Sequence, residues 1–464
     1  MVSNLKVAAA VAAVLAAGTV AASSPSPASA ATPAVGLYVA GSSAAQSAVI
    51  GALETGFCAG SYSAFSSTGD TNFFAVSCTP SITGLADANG NNIFTIWYRS
   101  EGGSVTGALP LVTGGYIKQL DVSQGGSSTT DSNGQPLYAI NVSGSTAING
   151  IDDSFGSGVL TTPGPIGSGA PVQLGITDVE PGALIGNNYP SAYKTSVYGK
   201  ATAAQLSNLS ATTIFDQVFG IFVNTNGLTL NDTPLSLSKQ TIANILRGAR
   251  GNTDWSQVPD SSGNAVSSTS KTITIVNREQ GSGSRTATDI FFTTDSCNKV
   301  TQKPILESAG GTLDQFSTGN VLAAANSTAG SITYASIDNA GSTKYPNLTL
   351  VEVDNVVPSN LNAAAGIYGD WFEATAVTNT TVSPLSTDQQ AVVNYLVSAF
   401  QNVSTAPGAV DVLAIPSYNT ANTTPVPNTG LPISTTASVN NGKTIYINPF
   451  TRSGTSCNVP QDTL

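Results

Sequence analysis

Short β-prone runs alternate with helical periodicity along the chain, and glycine and serine stand at the joints. In VGLYVAGSSAAQSAVIGALETGF the alternation around Leu37 and Val39 predicts a strand, and Gly41-Ser42-Ser43 a tight turn. Residues 44–53 then read as a helix with Val49, Ile50 and Leu53 on one face. NNIFTIWYRSEGGSVTGAL repeats the plan, with a strand over 93–98 and a turn at Gly102-Gly103-Ser104. Residues 121–170, rich in Gly, Ser, Thr, Asn and Asp, read as a long polar loop or insertion. VQLGITDVEPGAL is another short strand running into a polar loop. FDQVFGIFVNTNGLTL is a long β-prone run, and SLSKQTIANILRG a helix capped by Ser236 or Ser238 and ended by Gly248. KTITIVNREQGSGSRTATDIFF gives strand, loop and helix again; GSITYASID and LVEVDNVVP read as strands, and DQQAVVNYLVSAF as a helix before a polar tail. Strands alternating with helices, with no repeat of fixed period, predict an α/β fold.

Composition narrows what such a fold can do. Of 464 residues, 41% are hydrophobic, enough for real cores, but only 9% are charged, against roughly 25% in an ordinary soluble domain. The net charge is -11 with 16 Lys+Arg, and no polybasic run exists, which argues against nucleic acid as a partner. Histidine is absent, which removes the usual general base, the Ser-His and Cys-His pairs and most zinc sites. No metal or cofactor is expected.

Residues 1–30 carry Lys6, the apolar run VAAAVAAVLAAGTVA and the small-x-small sequence ending at Ala30, the pattern of a cleaved signal peptide. The mature chain is therefore expected to start near Ala31 and to be exported, periplasmic or extracellular, with no stable membrane anchor. Export makes the cysteines interpretable. Cys58, Cys78, Cys297 and Cys457 read as two disulfides with three possible connectivities. The favoured one closes a short loop, Cys58–Cys78, and ties the tail to mid-chain, Cys297–Cys457.

The chemistry concentrates in VNREQGSGSRTATDIFF. Arg278 ends a β-prone run, and Glu279, its neighbour on a strand, points to the opposite side. Gly281-Ser282-Gly283 lets backbone approach a ligand closely. A helix starting near Ser284 offers unpaired amides and a positive partial charge. Ser282 and Ser284 add hydroxyls, and the arginine a planar fork suited to tetrahedral oxyanions. A solvated loop with Ser284 as an ordinary cap is the plainer reading of the same residues. Ser42 and Ser43 sit at a second such opening, and Arg99, Ser100 and Ser104 at a third; each is also explained by simple capping.

Asp178 in GITDVEP is the fourth part. A carboxylate beside an anion site makes sense when the ligand carries a proton. Mono- and dihydrogen phosphate can donate to it; sulfate at neutral pH cannot, and would face it as a second negative group. A loop Asp capping the next helix is the structural alternative.

Taken in order, AGSSAAQ, YRSEGGSV, GITDVEP, LSLSKQTIANILRGARGNTDWSQV, REQGSGSRT and GSITYASID resemble the phosphate-binding proteins of bacterial phosphate ABC transporters, which have the type 2 periplasmic-binding-protein fold. The resemblance covers most of residues 35–345 and implies two α/β lobes with a ligand cleft between them. It implies ligand contacts from Ser43, from Ser100 (with Ser104 the other choice), from Asp178, and from Arg278, Ser282, Gly283 and Ser284; Ser42 and Arg99 stand beside them. Lobe one would comprise 31–218 plus 333–464, and lobe two 219–332. The implied function is capture of inorganic phosphate or a similar oxyanion by a monomer that catalyses nothing, with an ABC transporter permease as partner. The competing expectations are an extracellular structural or adhesive protein that kept the fold without the ligand, and a secreted phosphatase using one of the loop serines.

Overall fold

The computed structural model describes residues 35–142, 169–189, 198–293, 312–401, 412–413 and 446–462, less the short stretches at 59, 69–71, 81, 83–84, 86–91, 127, 132, 250 and 447. The signal segment and Cys297 lie outside the described residues.

The first half is built on parallel pairing. Strand Val35–Gly41 lies between Phe94–Arg99 and Leu174–Thr177, parallel to both. Beyond Phe94–Arg99 the sheet continues antiparallel through Phe73–Cys78 and Ser63–Ser67. Pro136–Ile140 and Ser128–Thr130 then form its edge. The stretch expected as a polar loop or insertion over 121–170 thus contributes two strands to the sheet edge. The Ser128–Thr130 strand is exposed at every position, so it carries no hydrophobic alternation to be read; residues 143–168 lie outside the described set. Cys58 and Cys78 are disulfide-bonded, with Cα atoms 5.6 Å apart, tying the helical segment after the first strand to the sheet. Cys457 is also disulfide-bonded.

The second half uses the same device. Strand Thr274–Arg278 runs parallel to Thr312–Gln315 and to Ser331–Ser336. The helix Lys239–Leu246 buries Ile242, Ile245 and Leu246 against this half, together with Trp255 and Val258. Its cap is Ser238, which accepts from the Thr241 amide at 3.0 Å.

Two strands join the halves. Ser210–Asn224 pairs antiparallel with Trp371–Thr378 up to Val218, then with Ser331–Ser336 from Phe219 onward. The chain therefore passes between halves at Val218/Phe219 and returns at Trp371. The return differs from the expected one near 333. Leu348–Leu350 pairs with Phe222 to Asn224, and Ala363, Ala364 and Tyr368 pack into the core of the second half. Those contacts keep residues up to about 370 with the second half; the pairing partner lies more than a hundred residues earlier and leaves no local mark in the sequence. Helix Thr387–Gln401 then covers the first half, burying Val392, Val393, Leu396 and Phe400.

Candidate functional site

Parallel strands end side by side, so the loops after their C-terminal ends collect at one place. In the first half these loops carry Ser42 and Ser43, Ser100 to Ser104, and Asp178. In the second they carry Arg278 to Ser284 and Phe316 to Thr318. The two sets face each other across the junction and touch. Gly102 N–H donates to Phe316 O at 3.0 Å, and Val105 N–H to Gly281 O at 3.0 Å.

Asp178 is the focus. It is 1% exposed. Its Oδ1 accepts from the Ser42 hydroxyl. Its Oδ2 accepts from Ser104 Oγ at 3.2 Å and from Ser284 Oγ at 3.4 Å. Ser104 also takes the Asp178 amide proton, at 2.9 Å. Hydroxyls from both halves thus converge on one carboxylate. Burial raises the affinity of that carboxylate for a proton; the Ser42 hydroxyl, the Arg278 charge and the Ser104 and Ser284 hydroxyls oppose the shift.

Local sequence explains the convergence. Ser104 begins the helix Val105–Thr113 without capping it, which frees its hydroxyl. Gly107 in that helix and Gly175 in strand Leu174–Thr177 touch, a Cβ on Gly175 lying 1.9 Å from Gly107 O. Only the absence of both side chains lets the helix lie so near the strand that Ser104 reaches Asp178. In the second half Ser282, not Ser284, caps the helix Gly283–Thr288, its Oγ accepting from the Arg285 amide at 3.3 Å. The helix starts one residue earlier than expected, which releases Ser284 to point at Asp178.

Arg278 ends its strand as expected and is 1% exposed. Its guanidinium donates to Gln315 O at 3.2 Å, Phe316 O at 3.4 Å and Thr318 Oγ1 at 3.1 Å. Burial lowers its proton affinity, and Glu279, Tyr334 and Asp178 counter that. Arg285 donates to Arg278 O at 3.0 Å and steadies the backbone there. Ser43 meets the opposite half through Thr318: its Oγ accepts the Thr318 amide proton at 3.0 Å and lies 3.1 Å from Thr318 Oγ1.

Most of the expected residues therefore come together: Ser42, Ser43, Ser104, Asp178, Arg278, Gly283 and Ser284. Ser100 and Arg99 do not join them. Ser100 turns away to Asn72, its Oγ 3.4 Å from Asn72 Oδ1. Ser104 takes the place at Asp178. Arg99 is occupied locally: it pairs with Glu101 at 2.7 Å, donates to Lys118 O at 3.1 Å and lies 4.5 Å from the Phe73 ring centre. Ser282 serves as the helix cap. Thr318 was missed by sequence reasoning. Its signal was present in FSTGN, a fourth Ser/Thr/Gly opening before an apolar run, where Ser317 caps the helix Thr318–Ser327.

Among the described residues no helix is long and apolar enough to cross a membrane. No protein-family model matches the chain, and no curated protein matches it. Solved structures do. The high-affinity periplasmic phosphate-binding protein PfluDING, solved with phosphate, is 14% identical with a TM-score of 0.44, covering 88% of this chain and 96% of its own. A phosphate-binding protein from Stenotrophomonas maltophilia is 14% identical with a TM-score of 0.34, covering 51% and 70%. An ABC-type phosphate transport receptor from Vibrio cholerae is 16% identical with a TM-score of 0.31, covering 49% and 74%. The chain is similar, at this distance, to these solved phosphate-binding and phosphate-transport proteins.

Proposed function

We propose that this chain is an exported solute-binding protein that closes its two lobes on a protonated oxyanion, inorganic phosphate being the ligand that suits the donor set. The observation that carries this is the buried carboxylate of Asp178, met by Ser42 and Ser104 from one lobe and Ser284 from the other. Arg278, Ser43 and Thr318 lie beside it and supply donors for the charged oxygens. A carboxylate in such a place accepts a hydrogen bond only from a ligand oxygen that bears a proton. It repels an anion that has none. Because each lobe holds part of the donor set, the ligand favours the closed form. Binding without turnover follows from the same residues. No histidine exists in the chain, and the serine hydroxyls at the centre are taken up holding the one carboxylate that the ligand proton needs as its acceptor. Release to a permease of an ABC transporter would complete the task.

The test is calorimetric titration of phosphate and then sulfate into protein stripped of anion by partial unfolding and dialysis. Wild type should bind phosphate one-to-one at pH 7 and discriminate strongly against sulfate. Asp178→Asn should shrink the phosphate/sulfate ratio by at least about tenfold, or 1.4 kcal/mol. An unchanged ratio would remove the role given to Asp178, and binding of neither anion by folded, stripped protein would remove the whole reading.

A further inference from the structure

A second buried charge cluster lies where the two crossing strands pass between lobes. Asp216 and Glu373 face each other in register, Val218 pairs with Trp371, and Phe219 N–H donates to Asp370 O at 2.8 Å. Asp216 and Asp370 are each 1% exposed and Glu373 is 7% exposed. Three acids at one dry junction need an opposite charge. It comes from the far end of the chain, as Arg452.

Arg452 lies 4.4 Å from the Phe372 ring centre and 5.1 Å from that of Trp371. It donates to Trp371 O and to Gly369 O, both at 3.1 Å, the latter on the lobe-two side of the junction. The residues around it follow the same line. Asn448 Nδ2 donates to Asp216 Oδ2 at 2.7 Å. Glu373 accepts from the Thr451 hydroxyl, from Arg452 N–H at 3.0 Å and from Gly454 N–H at 2.9 Å. The Phe450 ring lies against Gly366 of lobe two, 2.7 Å from where a Cβ would stand. Ser456 donates to Glu180 Oε2 through its hydroxyl and, at 2.8 Å, through its amide. Glu180 belongs to lobe one and stands two residues after Asp178. Cys457, next along, is disulfide-bonded, which ties down this end of the segment.

We propose that Asn448 to Ser456 is a clasp across the hinge, which holds the lobes in their closed relation and sets how fast a ligand leaves. The segment touches lobe two at Gly366 and Gly369, both crossing strands at Asp216 and Glu373, and the Asp178 loop at Glu180. Rotation of one lobe against the other cannot preserve all of these contacts. The charge balance points the same way. Burial raises the proton affinity of Asp216 strongly, with Glu373 adding to it, and raises that of Asp370 to about 7 and that of Glu180; Arg452 offsets the first two, as does Lys239 for Asp370. Opening the hinge hydrates these groups, so losing the clasp's hydrogen bonds and Arg452 weakens what keeps them buried.

The kinetic part rests on the cleft being a phosphate site; the conformational part does not, and the experiment separates them. Fluorophores go at exposed positions of the two lobes, Thr129 and Ser268, in the full chain carrying Asn448→Ala with Ser456→Ala, which remove no formal charge, and separately Arg452→Met. Without ligand, the variants should shift toward larger interlobe distance than the parent. With inorganic phosphate, dissociation measured by stopped flow should accelerate at least about tenfold. Unchanged distances in the folded Asn448/Ser456 double variant overturn the clasp even if phosphate binds. Lengthened distances in a protein that binds no phosphate leave the clasp standing and overturn the reading of the cleft. A phosphate off-rate within twofold of the parent, with distances lengthened, overturns the clasp's control of release.

Discussion

Gly283→Ala isolates lobe closure from lobe stability. Gly283 is the first residue of its helix in lobe two, yet its neighbours belong to lobe one. A Cβ there would stand 2.1 Å from Ser104 Oγ, 2.6 Å from Asp178 Oδ2 and 2.7 Å from Asp178 Cβ. The serine hydroxyl can rotate away. Asp178 Cβ cannot, being fixed to a buried backbone, so the lobes must part. Overpacking of this kind costs about 1–3 kcal/mol, which falls on the closed form alone and corresponds to about 5- to 150-fold weaker binding. Within lobe two the change acts in the opposite sense, since Ala favours helix over Gly by up to about 1 kcal/mol. The two effects fall on different measurements. Calorimetry should give a phosphate Kd raised by that factor, while the melting temperature of ligand-free protein holds or rises. A Kd within twofold of the parent would show that Gly283 does not meet lobe one in the bound state, and the closed cleft described here would be wrong. A melting temperature that falls in step with affinity would assign the loss to folding instead.

The remaining expectations concern a choice between serines and the hinge acids. Ser104→Ala should weaken phosphate binding by about 1.5–3 kcal/mol, the value of a hydrogen bond to a charged group, whereas Ser100→Ala should leave calorimetric affinity within twofold; the reverse order would restore Ser100 to the site. Asp370→Asn should stabilise the protein at pH 8. The folded carboxyl is pushed up to about 7 from 3.8 by burial, so its contribution is favourable below pH 4 and is lost as pH rises through 7, reaching a ceiling of about 4 kcal/mol. Urea midpoints at pH 5 and pH 8 check this, and a difference between variant and parent that does not grow with pH counts against it.

The elements that build the cleft were legible because their signals are local. A β-prone run, then Gly/Ser, then helix formers marks each of the openings at Gly41, Gly102 and Gly281, and the α/β class follows from their succession. One-residue questions were not legible. Ser100 and Ser104 carry the same hydroxyl, and only the close approach at Gly107 and Gly175 brings Ser104 to Asp178. Likewise Ser282 and Ser284 differ in role because the helix begins at Gly283. Non-local pairing hid more. Leu348–Leu350 joins lobe two through Phe222 to Asn224, a partnership no window of sequence contains. Thr318 escaped because its place beside Ser43 and Arg278 arises from the contact of two lobes.

The cleft and the hinge share more than a motion. In a chain with only 9% charged residues, two of the buried arginines, Arg278 and Arg452, stand at the cleft and at the hinge. Each faces carboxylates that burial pushes toward protonation: Asp178 at the cleft, Asp216 and Asp370 at the hinge. The loop from Asp178 to Glu180 belongs to both clusters, because Glu180 receives Ser456 of the clasp. A ligand that fixes Asp178 therefore also fixes the acceptor on which the clasp closes. Linkage makes this reciprocal: whatever free energy the clasp lends to ligand binding, the ligand returns to the clasp. The loop that links the two acceptors, Asp178 to Glu180, is only three residues long.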